Sequence, residues 1–305
     1  MKIFTLAPRE NWICDRIAAE WKNNFPEVNT NNVEEADIIW LLAGWCWNQI
    51  PVQFLKNKKV VMTVHHIVPE KFDLKKFNEF RFRDQFIDCY HVPSSKTAEM
   101  VSKLTKKPIV QQCYWYDSSF WRPQNKLDAR IKLNLKQNDF IIGSFQRDTE
   151  GSDLKSPKLE KGPDIFCDFL EFSGIQNLKV LLGGWRRQYV ISRLEASKIS
   201  YDYIELAPME TLRSMYAACD LYVVGSRYEG GPQSILESAA MKVPIISNDV
   251  GIAKDVLHKN CILSISKEPY YQPSDKEIQF NYEQVANFDI KLHGQNYVKM
   301  FRDLI

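Results

Sequence analysis

Two α/β domains, each a parallel sheet covered by helices in the Rossmann-like manner, are predicted for this chain of 305 residues. Short β-branched and apolar runs alternate with helical patterns from end to end, as they do where helices layer on parallel strands. The length is too great for one small core and suits two domains of ordinary size. Between two such alternating sets lies Tyr116-Asp-Ser-Ser-Phe-Trp-Arg-Pro123, which has no clear period and ends in proline.

The first set opens with a strand at 2–6 and a helix across 12–21. Apolar runs of strand length follow at 37–42 and 60–64, and shorter strands at 90–93 and 109–111 flank a helix at 96–104. The second set begins with a strand at 140–144, a helix at 163–172, a strand at 179–182 and a helix at 188–196. Strands at 203–206, 221–224, 243–247 and 261–265 then alternate with helices at 209–218, 233–240 and 252–257. Tyr297, Met300, Phe301 and Leu304 fall near helical spacing in a last helix at 294–304, so that helix should dock on something. The expected domains are 1–122 and 123–288, facing each other across a cleft with 112–123 as the hinge, and 289–305 packs back on the first.

Hydrophobic residues at 45% and charged residues at 26% give the balance of a soluble globular protein. No apolar run reaches the roughly 18–20 residues of a membrane helix, and the N-terminus does not read as a secretory signal. Seven cysteines stand singly without a CxxC pair, the usage expected of free thiols in a reducing compartment, so the expected location is cytoplasmic. A net charge of +2 is too small to argue for nucleic acid. The charge is locally uneven: Lys71, Lys75, Lys76, Arg81 and Arg83 interleave with Phe72, Leu74, Phe77, Phe80 and Phe82. A surface helix with an aromatic core face accounts for this run. The alternative is a peripheral contact of 71–83 with an anionic membrane face or a lipid-linked acceptor.

Chemistry concentrates in Ser226-Arg-Tyr-Glu-Gly-Gly-Pro-Gln-Ser-Ile-Leu-Glu-Ser-Ala-Ala240. This stretch leaves a buried strand, turns on Gly230 and Gly231, and enters a helix with Pro232 near its first position, where a missing N–H costs nothing. Such a helix start, here Pro232, Gln233 and Ser234, offers unpaired N–H groups and the positive end of the macrodipole, a seat for phosphate. The two glycines let an anion approach the backbone closely. Glu237 lies one to two turns further, where its two oxygens can accept from neighbouring hydroxyls such as a ribose diol. Glu229, in the loop before the helix, can face the sugar end of the same ligand.

Glu229-x7-Glu237 within RYEGGPQSILESAAMKVPIISNDVGIAKDVL resembles the E-x7-E motif of retaining GT-B glycosyltransferases of glycosyltransferase family 4. The resemblance covers the second half of the chain and fades in the first. In that family a small-residue loop follows the next strand near the active cleft, here Asn248-Asp249-Val250-Gly251. Ile142-Gly143-Ser-Phe-Gln-Arg147 and Lys161-Gly162-Pro-Asp164 are similar to the family's Arg after the first strand of the second domain and its Lys-Gly at the next helix start. The resemblance implies that Arg147 and Lys161 bind the donor diphosphate, with Gly143 beside the donor. Fixed cations there stabilise the charge that a leaving nucleoside diphosphate gains, Arg as a planar fork and Lys as a point charge. Lys155 and Lys158 lie in the insertion between them, and Lys161 is preferred because glycine follows it.

The resemblance further implies transfer, with retention, of a sugar from a nucleoside-diphosphate donor to a hydroxyl of a glycan, lipid-linked or small-molecule acceptor. No cofactor is implied beyond that substrate, and no metal: there is no convincing Asp-x-Asp pair, and histidines and cysteines do not cluster at zinc spacing. In the first half, Val61-Met-Thr-Val-His65-His66 ends a strand at the edge where α/β sheets present ligand-facing groups. A His there lines the cleft in the resembling family, and His65 is preferred to His66; a plain polar strand end is the competing reading. Trp45 and Trp47 are either a platform for a sugar ring or core residues. The chain departs from the family in the loop after the first strand, Ala7-Pro-Arg-Glu-Asn-Trp12, which has no glycine. A cradle on that side is either reduced or made from Arg9 and Asn11. A nucleotide-sugar epimerase of the same fold and a non-catalytic sugar-nucleotide or glycan-binding module are the alternatives.

Overall fold

The computed structural model describes residues 1–10, 12–265 and 270–305, and the chain divides into two compact units, Met1–Asp117 with Phe288–Ile305, and Ser118–Asn287. In the first unit the elements run β1 (Ile3–Leu6), α1 (Ile13–Asn24), β2 (Asn29–Thr30), β3 (Ile38–Leu41), α2 (Val52–Asn57) and β4 (Lys59–Thr63). They continue with α3 (Leu74–Asp84), β5 (Cys89–Val92), α4 (Ser95–Ser102) and β6 (Ile109–Gln111). The strands are all parallel, in the order β2-β1-β3-β4-β5-β6. Every residue of β3 and β5 is buried, which is why these strands read as continuous apolar runs instead of alternating ones. Asp73 and Ser94 cap α3 and α4, each accepting from a backbone N–H three residues on.

The second unit contains α5 (Lys126–Lys132), β7 (Phe140–Phe145), a short antiparallel pair β8 (Thr149–Glu150) and β9 (Ser156–Pro157), α6 (Pro163–Phe172) and β10 (Leu178–Gly184). There follow α7 (Gln188–Ala196), β11 (Ser200–Glu205), α8 (Met209–Ala218), β12 (Leu221–Val224), α9 (Gln233–Ala240), β13 (Ile245–Ser247), α10 (Ala253–Val256) and α11 (Asp275–Val285). The sheet order is β11-β10-β7-β12-β13, all parallel. From β7 the chain crosses to β10 on one side, and from β12 it crosses to β13 on the other. The crevice beyond the carboxyl ends of β7 and β12 is therefore the topological switch point, where sheets of this kind bind ligands.

Two expectations need correcting. Residues 261–265 do not form a strand: Cys261 ends a short 3-10 turn, Ile262 makes one bridge to Ser247, and the Ile265 N–H turns to Asn248 Oδ1 at 2.8 Å. The helix at 252–257 shrinks to the single turn of α10. The helix expected at 233–240 forms as α9, with Pro232 immediately before it and extended at ψ 115°.

The last helix, α12 (Ile290–Arg302), belongs to the first unit and packs on α1. Its Tyr297 and Phe301 enter an aromatic cluster with Trp21, Trp40 and Trp115. The Tyr297 hydroxyl lies 3.1 Å from His91 Nε2 and 2.9 Å from the Cys113 carbonyl, so the aromatic core closes around a hydrogen-bonded centre. All seven cysteines are buried free thiols. Among the described residues no helix is long and apolar enough to cross a membrane.

Candidate functional site

The carboxyl end of β7 delivers Gln146 and Arg147, and the loop there is pinned from beneath by Arg187. That guanidinium is fully buried; it pairs with the buried Asp148, donates to the carbonyls of Ser144 and Gly183, and reaches Ser144 Oγ at 3.0 Å. A buried charge survives only when paired and hydrogen-bonded in this way. Arg147 itself donates to the Thr149 carbonyl at 3.1 Å and lies 5.1 Å from the Trp185 ring, within cation–π range.

Lys161 enters from the start of α6. Gly162 takes φ +60°, and a Cβ there would sit 2.0 Å from the Gly225 carbonyl oxygen, so only glycine lets the α6 turn touch the end of β12. Backbone bonds close the seam: the N–H groups of Arg227 and Tyr228 donate to the Glu160 carbonyl at 2.9 and 3.1 Å. Arg227 adds a bidentate pair with Asp164 at 2.7 and 2.6 Å. Across that seam Lys161 Nζ meets Glu229 Oε1 at 2.6 Å, and Ser226 Oγ donates to the same oxygen at 3.0 Å. Two residues far apart in sequence thus stand together at the switch point.

Beyond Glu229 come Gly230, Gly231 and Pro232, then Gln233 and Ser234 opening α9, whose N-terminus has no side-chain cap. The start of such a helix presents the positive end of its dipole, which favours an anion. Glu237, one turn on, is buried and accepts from the Tyr216 hydroxyl at 2.7 Å, which holds the carboxylate in place. Burial, then the Glu237 charge, raises the Tyr216 pKa well above its usual range, so it stays a neutral donor. Gly143 is in the middle of β7, where a Cβ would meet Cys219 Sγ at 2.6 Å and the Tyr222 ring at 3.0 Å; its missing side chain serves packing.

His65, in the first unit, follows β4. Its Nε2–H donates to the Leu42 carbonyl at 2.9 Å, and its Nδ1 accepts from the Tyr114 hydroxyl at 2.5 Å. Both ring nitrogens are thus engaged, and a ligand contact through either must replace one of these bonds. The loop after β1 differs from a glycine-rich cradle: the N–H groups of Arg9, Glu10 and Trp12 donate to the Asp15 carboxylate at 2.8, 2.8 and 3.3 Å. Those amides are occupied by the chain's own anion, and Asn11 lies outside the described residues. Trp45 is half exposed and its ring is 5.8 Å from that of His65, whereas Trp47 packs on Phe82 and Phe86.

Sequence reasoning missed Arg187 and Trp185, and it set Lys158 aside in favour of Lys161. Arg187 carries no signal, because a buried arginine looks like a surface one in sequence. Trp185 stands between Arg147 and Arg186 just past Gly183-Gly184, a strand-end aromatic that could have been flagged. Lys158 sits on the inserted loop, and only the pairing of β8 with β9 brings it back toward Arg147.

Two parallel-sheet α/β units with a cation-lined switch point define the class: this is the GT-B fold of glycosyltransferases. Residues 158–267, within the second unit, match the family model "Glycosyl transferases group 1". HepE from Anabaena superposes with a TM-score of 0.75 at 12% identity, covering 99% of this chain and 100% of that one. Sucrose-phosphate synthase from Thermosynechococcus elongatus gives 0.64 at 17% identity, covering 98% and 80%. A glycosyltransferase from Rickettsia africae gives 0.63 at 15%, covering 98% and 83%. No curated protein sequence matches the chain.

Proposed function

We propose that this chain moves a sugar from a nucleoside-diphosphate donor to a hydroxyl of a glycan, lipid-linked or small-molecule acceptor, with retention at the anomeric carbon and without a metal ion. The observation that carries this reading is the 2.6 Å contact of Lys161 with Glu229 at the switch point of a glycosyl transferases group 1 domain. It joins a diphosphate cation to a carboxylate suited to sugar hydroxyls. Arg147 and Lys161 neutralise charge that grows on the diphosphate as the glycosidic bond breaks. The N–H groups at the start of α9 add to this, Glu237 accepts from the ribose, and Glu229 orients the transferred sugar. The acceptor loses its hydroxyl proton to an oxygen of the leaving phosphate, which fits a site without a dedicated base. The first unit receives the acceptor.

HepE has been captured with UDP, with UDP-glucose and with UDP and glucose, which favours uridine diphosphate sugars as the first donors to test. Calorimetry with uridine, guanosine and adenosine diphosphates, followed by turnover of the matching sugar nucleotides in excess chelator, tests the reading. One diphosphate should bind and its sugar should be transferred with chelator present, giving a product of unchanged anomeric configuration. Binding of none would overturn the donor assignment; activity abolished by chelator and restored by magnesium or manganese would overturn metal independence.

The reading includes a peripheral contact through 71–83 at the cytoplasmic face of a membrane. On α3, Leu74 is 74% and Phe82 52% exposed beside the exposed Lys75, Lys76 and Arg81, an apolar-and-basic surface that suits anionic lipid. Co-sedimentation with phosphatidylserine vesicles and not with phosphatidylcholine vesicles is the expected result.

A further inference from the structure

We propose that Lys158 is a third cation of the donor-diphosphate site. The proposal rests on the reading of Arg147 and Lys161 as diphosphate ligands and adds a ligand from the loop inserted between them.

The backbone places Lys158 there. Thr149 pairs with Pro157 across the β8–β9 hairpin, and the Lys158 N–H donates to the Asp148 carbonyl at 2.7 Å. Lys158 therefore stands beside Asp148, the immediate neighbour of Arg147. On its other side the Lys161 N–H donates to the Lys158 carbonyl at 2.8 Å, closing one tight turn between the two lysines. Asp148 is anchored in turn by its pair with the buried Arg187, which fixes that end of the turn. The Lys158–Lys161 turn thus adjoins Arg147 at the switch point.

The Lys158 side chain is only 25% exposed, and its ammonium is 3.8 Å from Glu160 Oε1, too far for a hydrogen bond. The charged groups facing it are Lys161, Arg147, Glu160 and Glu229. Burial, then repulsion from Lys161 and Arg147, pulls its pKa below the usual lysine range, against the opposing pull of the two carboxylates. Lys161 already takes Glu229 as its close partner. Three cations against two carboxylates in a half-buried turn is an arrangement that a polyanion relieves. Lys155, on the same loop, is exposed and turned to solvent.

The test is calorimetric titration of uridine diphosphate, inorganic pyrophosphate and uridine into the wild type, Lys158→Ala, Lys158→Arg, Lys155→Ala and Lys161→Ala. Lys158→Ala should weaken both diphosphates about tenfold or more, as loss of a charge-assisted bond does, and leave uridine unchanged. Lys158→Arg should restore most of the loss, and Lys155→Ala should match the wild type. At alkaline pH, diphosphate binding should take up a proton in the wild type, seen by comparing buffers of different ionisation heat, and the uptake should vanish in both Lys158 variants. If Lys161→Ala weakens the diphosphates and Lys158→Ala does not, the inference is overturned while the donor site stands. If neither does, both fall. Should Lys158→Ala fail to fold, Lys158→Gln and the wild-type proton uptake decide the question.

Discussion

Lys161 gains its position from the glycine beside it and its orientation from Glu229, and these two constraints make its substitution informative. If the cation stabilises charge developing on the leaving diphosphate, Lys161→Ala should lower kcat by about 10²–10³, the cost of removing one fixed donor to a developing oxyanion. Donor affinity should change less, since part of that charge exists before the bond breaks. Steady-state kinetics beside circular dichroism would show it, and near-full kcat would place the diphosphate elsewhere. Glu237 is a different case, because Tyr216 already donates to its carboxylate. Glu237→Gln should weaken uridine diphosphate about tenfold or more through loss of a charge-assisted bond. A lowered Tm with an unchanged Kd would mean that the carboxylate serves only Tyr216.

At the level of elements, the site is a seam between the β7–α6 and β12–α9 connections, and each side is held by something that can be removed. Gly162→Ala forces a left-handed residue, costing roughly 1–2 kcal/mol, and pushes a Cβ into the Gly225 carbonyl, which adds to it. Thermal denaturation should show a loss of at least that size, together with weakened diphosphate binding as Lys161 shifts. Asp148→Ala should cost more, about 3–5 kcal/mol, because it leaves the Arg187 guanidinium buried and unpaired. Arg187→Met in the Asp148→Ala background should recover part of that loss, whereas a purely local role for Asp148 would give additive losses.

Over the whole molecule, the first unit is closed by the return of α12, and its stability should depend on pH through His91. This imidazole is fully buried between Thr63 Oγ1, the Gln112 carbonyl and the Tyr297 hydroxyl. Burial pushes its pKa from 6.5 down to about 3, and His293 shifts in the same direction. With the folded pKa below the unfolded one, the unfolded chain binds the extra proton. The contribution is complete above the unfolded value and is lost as pH falls toward the folded one. Between those values stability should drop by about 1.4 kcal/mol per pH unit through His91. Urea denaturation of the first unit at several pH values should show that slope, and His91→Gln, although less stable, should flatten it. Equal slopes in the two proteins would rule out His91 as the source.

Much of this was present in the order of residues alone. Alternating apolar runs and helical patterns are local, so both parallel sheets could be read directly, and so could the Glu229-x7-Glu237 spacing, which a strand, a turn and a helix hold in register. The strand expected at 261–265 failed because its amides found Asn248 and Ser247 instead of a full ladder, a choice made by tertiary neighbours. Whether a lysine on an insertion faces solvent or a ligand depends on where the hairpin ends meet, and an arginine becomes a buried anchor only when a distant carboxylate arrives beside it. The chemical types of the site residues were therefore legible in the sequence. Their partners were not: the Lys161–Glu229 pair was decided only when β7 and β12 came to lie side by side, the Asp148–Arg187 anchor when β10 joined β7, and the place of Lys158 when β8 paired with β9.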